Sequence, residues 1–115
     1  MQDFLTIAEA SQQIASKKIS PVELTQACLD RVKALDETLN AFLLVTQERA
    51  MADARAAEAR IMAGLSRGKL DGIPIAHKDI YNTAGIRTTG HSRLLLNNVP
   101  ESDATVVRSW AEAVH

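Results

Sequence analysis

The sequence predicts an α/β fold, with helices packed on a sheet that these residues build only in part. Three features predict it. Four stretches carry helical periodicity or helix start signals. Between them stand two short apolar runs, Ala41-Phe42-Leu43-Leu44-Val45 and Ile73-Pro74-Ile75-Ala76-His77, too short for helices and read as strands. All five glycines lie between residues 64 and 90, around the second run. Two strands do not make a doubly covered sheet, so the 115 residues are expected to be an incomplete part of one domain.

The elements follow in order. Thr6-Ile7-Ala8-Glu9 has the spacing of a capping box and opens the first helix. Ser20-Pro21-Val22-Glu23 opens the second: Ser20 is the N-cap, Pro21 takes the first position where a missing N–H costs nothing, and Glu23 completes the box. Leu24, Cys28, Val32 and Leu35 then form one apolar stripe, and the helix is expected from Pro21 to about Glu37. Asn40 introduces the first strand. Residues 46–65 are alanine-rich, with Ala50, Ala54, Ala57, Ile61 and Leu65 on one face, so a third helix is expected there, able to approach a neighbour closely. Pro74 puts the second strand near its start or on an edge, and Lys78-Asp79 stands at its exit. A final helix is expected over 103–114, capped by Ser102 or Asp103. The chain thus divides into a helical hairpin (1–38), a strand–helix–strand and glycine-rich segment (40–100) and a last helix (103–114).

Composition excludes several classes. Thirteen Lys and Arg against fourteen Asp and Glu leave a net charge of −1, and aromatic residues make up 3%. No basic field or stacking platform is present to drive direct nucleic-acid binding, and no basic face suggests a membrane surface. Cys28 is the only cysteine and cannot form an internal disulfide. The start, Met1-Gln2-Asp3-Phe4, shows no signal-peptide pattern, and no apolar run is long enough to span a membrane. A cytoplasmic chain is expected.

Most motifs fail on spacing. Gly64-Leu65-Ser66-Arg67-Gly68-Lys69-Leu70 has its glycines too close for a phosphate loop and Leu70 where a Ser or Thr is needed. His77, His91, His115 and Cys28 have no zinc-ligand spacing, and no Gly-x-Ser-x-Gly elbow occurs. Lys78 is different. It follows four apolar residues at the end of an expected buried strand, and burial disfavours an ammonium, which is how a lysine becomes a general base. The alternative is a lysine paired with Asp79 or reaching water at the strand end.

The stretch Gly72-Ile73-Pro74-Ile75-Ala76-His77-Lys78-Asp79 resembles the Gly-x-Pro-x-x-x-Lys-Asp segment of the amidase-signature family. Leu70-Asp71 before it, Thr83-Ala84-Gly85, Thr88-Thr89 and Ser92 after it, and Asp103-Ala104-Thr105-Val106-Val107 resemble the family's continuation. Ser20-Pro21-Val22-Glu23-Leu24 is similar to its amino-terminal hairpin. The resemblance implies the N-terminal portion of an α/β/α sandwich with a mixed central sheet. It implies hydrolysis or transfer of an amide nitrogen by a Ser–cis-Ser–Lys triad. Lys78 corresponds to the lysine of that triad, and no cofactor is implied.

Both family serines and their Gly/Ser-rich loop have no counterpart in this sequence, and Ser66, Ser92, Ser102 and Ser109 lie outside that motif. Ser92 is expected to make a local hydrogen bond instead. Val114-His115 departs from the family pattern, which places glycine after the alanine corresponding to Ala113. The chain alone is therefore expected to be inactive, and aggregation-prone through unpaired strand edges. Two classes compete: the N-terminal part of an amidase, or a short non-catalytic partner of an intact homologue. Within the first, a general amidase acting on a small-molecule amide is preferred over the glutaminase subunit of a tRNA-dependent amidotransferase. A homo-oligomer or the other amidotransferase subunits are the partners this implies.

Overall fold

The computed structural model describes residues 5–114; Met1-Gln2-Asp3-Phe4 and His115 lie outside the described residues. Four α-helices follow in order: α1 (Ile7–Ala15), α2 (Pro21–Leu39), α3 (Gln47–Met62) and α4 (Thr105–Val114), with a 3₁₀ turn at Arg93–Leu95 before the last. The chain divides into two compact units. One holds the residues up to Pro74 and the end of α4, and the other runs from Ile75 to Glu112.

In the first unit the helix starts follow from the side chains that cap them. The Glu9 amide donates to Thr6 Oγ1 at 3.1 Å, and the Thr6 amide donates to Glu9 Oε2 at 2.8 Å. These bonds satisfy amides that a helix start leaves free, and the bond from the Thr6 backbone holds the Glu9 carboxyl below its ordinary value. At α2 the Glu23 amide donates to Ser20 Oγ at 3.0 Å, with Pro21 at the first helical position. Ser20→Ala is expected to cost about 1 kcal/mol, read as a shift in the unfolding midpoint. Asn40 ends α2 in the left-handed region at φ 52°, a conformation asparagine tolerates better than most side chains. Asp36 Oδ1 then accepts from the amides of Ala41 and Phe42 at 2.7 and 3.0 Å.

The core of this unit is small: Ala10 and Ile14 of α1, Leu24 of α2 and Ile73 are buried, with Ile19, Ile61 and Leu70 packed against them. Helices α2 and α3 pack on each other. Ala54 and Ala57 are buried as the alanine stripe predicts, while Leu65 lies beyond the end of α3 and is exposed. The α2 stripe is only half used, since Leu24 is buried but Leu35 and Cys28 are exposed. Gly72 sits at φ +87°, where a Cβ would lie 2.7 Å from Pro21 Cγ and 3.0 Å from its Cβ. Gly72→Ala combines a disfavoured φ with a clash against a rigid ring, so a loss of roughly 1–3 kcal/mol is expected, again from the unfolding midpoint.

Among the described residues, the same unit buries the carboxylate of Asp71. The Asp71 side chain is 0% exposed, and Arg60 clasps it with Nη2 at 2.6 Å from Oδ1 and Nε at 3.2 Å from Oδ2. The Arg67 amide donates to Oδ2 at 3.0 Å. This ties the end of α3 to the loop that carries Asp71 and Gly72, and the Gly72 amide in turn donates to the Val114 carbonyl at 2.9 Å.

The second unit is a set of loops closed by backbone bonds before α4. A turn at Ala84-Gly85 brings Thr83 and Ile86 into a single antiparallel bridge. The Gly85 amide donates to Pro100 O, Thr88 N to Asn98 O, and Asn98 Nδ2 back to Thr88 O. Thr83, Thr88, Thr89 and Val107 are buried.

The strand expectations are corrected here. Among the described residues neither 41–45 nor 73–77 forms a strand; both are non-helical backbone without a ladder. A strand exists only through a ladder of bonds to a neighbouring strand, and among the described residues no ladder forms at either run. The cap expected for the last helix is corrected too. Asp103 Oδ1 accepts from the Ala84 amide at 2.7 Å, and α4 begins two residues later at Thr105.

Candidate active-site segment

Lys78 lies in the second unit, on irregular backbone, and its side chain is exposed. This corrects the expectation of burial. With no sheet formed around residues 73–77, the dry surroundings that a general-base lysine needs are not supplied by the described residues. The paired alternative is also corrected: among the described residues no salt bridge joins Lys78 to Asp79. Instead the Asp79 carboxylate turns to the loop ten residues on.

Both Asp79 oxygens bond Thr89. Oδ1 accepts from the Thr89 amide at 2.9 Å and Oδ2 from the Thr89 hydroxyl. The Asp79 carbonyl accepts from the Gly90 amide at 2.7 Å, and the Lys78 carbonyl accepts from Tyr81 N at 3.1 Å. The backbone that carries Lys78 is thus stapled to Thr89-Gly90 and closed by a turn at Tyr81. The bond from the Thr89 hydroxyl, then that from its amide, with smaller contributions from the His91 amide and its charge, holds the Asp79 carboxyl below its ordinary value of 3.8.

A folded-state value below the unfolded one stabilises the loop above the ordinary carboxylate range and is lost as pH falls through the folded value. Thr89→Val removes the hydroxyl bond, so the Asp79 carboxyl is expected to titrate at a higher pH, nearer 3.8. A carboxyl-carbon NMR titration measures this directly, and an unmoved Asp79 resonance would refute the staple.

The next loop turns on two left-handed residues, Gly90 at φ 56° and His91 at φ 61°. Ser92 then makes the local bond expected of it, accepting from the Leu94 amide at 3.2 Å to start the 3₁₀ turn. The Asp79 bonds thus bring Thr89 and Gly90-His91 up to the backbone that carries Lys78. Of the other serines, Ser66 exchanges bonds with Gly68. Sequence reasoning passed over the Asp79–Thr89 clamp. Thr88-Thr89 stood out only as part of a pattern, and a bond across ten residues of irregular loop has no local periodicity to announce it. Among the described residues no group of three His, Cys, Asp or Glu side chains is placed to hold a metal ion. No helix among them is long and apolar enough to cross a membrane.

Comparison with known proteins gives a consistent outcome. A family model described as Amidase matches residues 23–113. The chain is 48% identical over 108 residues to the A-subunit of glutamyl-tRNA(Gln) amidotransferase from Saccharophagus degradans, covering 94% of this chain and 22% of that one. Against the corresponding Pseudomonas entomophila protein it is 50% identical over 109 residues, covering 95% and 22%. Among solved structures, the native peptide amidase of Stenotrophomonas maltophilia matches with a TM-score of 0.88 at 32% identity, over 94% of this chain and 22% of that one. A chain from a vestigial protein complex that reveals the origins of an s-triazine catabolic enzyme matches with a TM-score of 0.90 at 29% identity, over 95% and 24%. The chain spans about a fifth to a quarter of the length of the proteins it matches.

Proposed function

The chain belongs to the amidase family, and from that premise we propose that it carries the lysine base of an amidase that hydrolyses a carboxamide C–N bond. The resemblance of Gly72–Asp79 and Thr88-Thr89 to the family's segment, inside the matched residues 23–113, supports this most directly, with Lys78 read as the family's lysine. In the proposed reaction Lys78 Nζ, neutral, accepts a proton through a bridging serine from a nucleophilic serine. The serine oxygen attacks the carbonyl carbon, and the tetrahedral oxyanion is held by backbone amides. Collapse breaks the C–N bond, the amine leaves with the proton returned by the lysine, and water hydrolyses the acyl-serine.

Both serines and the oxyanion loop belong to the part of the domain that these residues do not include. The rest of the domain also has to enclose Lys78, whose exposure here leaves it in water. Asp79 positions rather than reacts. Its bonds to Thr89 occupy both oxygens and hold the lysine-bearing backbone against the following loop.

The identity of 48–50% to the amidotransferase relatives over nearly the whole chain favours one narrower reading, a glutaminase that releases ammonia for a tRNA-dependent amidotransferase. Contact with tRNA then falls to other polypeptides of the complex, consistent with the net charge of −1 here. Such chemistry belongs to the compartment of translation, which supports a cytoplasmic location.

A chimera tests the proposal: residues 1–115 replace the matched segment of the S. degradans relative, assembled with that protein's own partner subunits. Ammonia release from glutamine within tenfold of the parent is the expected result. Release only from other carboxamides favours a general amidase, and no release from any amide refutes the proposal. Residues 1–115 alone are expected to release no ammonia from either.

A further inference from the structure

Thr89 is held in its loop from both sides. Its predecessor Thr88 is bonded twice to Asn98: the Thr88 amide donates to the Asn98 carbonyl at 3.0 Å, and Asn98 Nδ2 donates to the Thr88 carbonyl at 2.9 Å. Thr88 and Thr89 are both buried. On the other side the His91 amide donates to Thr89 Oγ1 at 3.2 Å, so the hydroxyl hydrogen is left for the Asp79 carboxylate. With the Thr89 amide on Oδ1 and the Gly90 amide on the Asp79 carbonyl, three bonds from Thr89-Gly90 fix Asp79.

Asp79 is also the residue next to Lys78, and so the acid nearest to it along the chain. A carboxylate within about 4–6 Å of a lysine favours the ammonium, and an ammonium cannot take up a proton. Among the described residues Asp79 makes no ion pair with Lys78, because Thr89 occupies both of its oxygens. The charged group acting on Asp79 from this loop is His91.

We propose that Thr89 is a positioning residue for the lysine base: by holding both oxygens of Asp79 it keeps that carboxylate from pairing with Lys78 and leaves the amine free to accept the serine proton. The inference deepens the reading of Lys78 as the base and rests on it. That reading requires only the lysine itself, whereas the clamp requires that the charge beside it be directed elsewhere.

The pH dependence of amide hydrolysis by the chimera with the S. degradans relative tests it. Thr89→Val removes the hydroxyl bond and keeps the shape of the side chain. The Asp79 carboxylate, freed on one oxygen, then keeps the lysine charged to higher pH. The acid limb of kcat should move up by about one pH unit, a loss of about tenfold on that limb. The plateau above it and KM should be unchanged. Thr89→Ser keeps the hydroxyl and should return the limb to its place. Asp79→Asn added to Thr89→Val removes the charge and should return it as well. A role confined to loop stability would instead lower kcat at every pH, and the asparagine would not restore it.

An unmoved limb in Thr89→Val, an equal loss at all pH values, or a limb that Asp79→Asn does not return would each overturn the proposal. Thr89→Ala gives the same readout if the valine variant does not fold, and loss of the fold in both would make Thr89 a folding residue only, which also overturns it. Lys78→Ala tells the base from the clamp. If it abolishes hydrolysis while Thr89→Val leaves the limb in place, the base stands and the clamp falls. If the Lys78→Ala chimera stays active, the base is refuted and the role of Thr89 with it.

Discussion

Lys78→Ala, introduced into the chimera with the S. degradans relative, is expected to lower amide hydrolysis by about 10⁴-fold, with kcat carrying the loss. General-base assistance alone contributes roughly 10²–10⁴, and removing one member of a coupled triad costs nearly as much as removing all of it. Binding of the amide should change little, because the lysine acts on the nucleophile rather than on the substrate. The protein should stay folded. Lys78 is exposed and makes no ion pair among the described residues, and the Asp79–Thr89 bonds that organise its loop do not involve its side chain. Lys78→Arg provides the sharper control. It keeps a long basic side chain but cannot be deprotonated in a protein, so it should be as inactive as alanine. Activity of either variant within tenfold of the unaltered chimera would show that Lys78 is not the base.

The largest expected loss of stability comes from Asp71→Ala. Its carboxylate is fully enclosed and takes two bonds from Arg60 and one from the Arg67 amide. Burial pushes the carboxyl up, but the Arg60 bonds, the Arg67 amide and the charges of both arginines outweigh it, so the group stays below its ordinary value of 3.8. Removing the carboxylate leaves the Arg60 guanidinium facing a void. Breaking one side of a buried pair costs about 3–5 kcal/mol. Arg60 is 20% exposed, which puts the expected loss at the lower end, about 3 kcal/mol. That is a large share of the stability of a small domain. Denaturant unfolding of the chimera should show it, and a loss under about 1 kcal/mol would mean the pair is solvated.

The pH sign follows. The folded value is depressed, so the pair's contribution is complete above the unfolded value near 3.8 and disappears as pH falls through the lower folded value. Asp71→Asn should therefore abolish this part of the acid dependence while keeping an acceptor for the Arg67 amide.

What could be read in advance was local. Thr6 with Glu9 and Ser20 with Pro21 announced two helix starts, and alanine richness announced α3. Helical bonds join residues four apart, so their signals sit within a few positions of one another. Family membership was legible for a related reason, since the residues that carry the resemblance occur in order along the chain.

The tertiary structure alone decided the rest. Whether 41–45 and 73–77 become strands depends on partner backbone that can lie anywhere in a chain, and among the described residues neither run is a strand. Leu35 sits on the predicted apolar stripe yet stays in water, because a stripe is buried only where something packs on it. Asp103 turned from the helix it was expected to cap toward Ala84, nineteen residues away, and Asp79 turned from Lys78 toward Thr89. Order along the chain carried the resemblance that singles out Lys78. Burial and long-range hydrogen bonds, which belong to packing between distant segments, determined its surroundings.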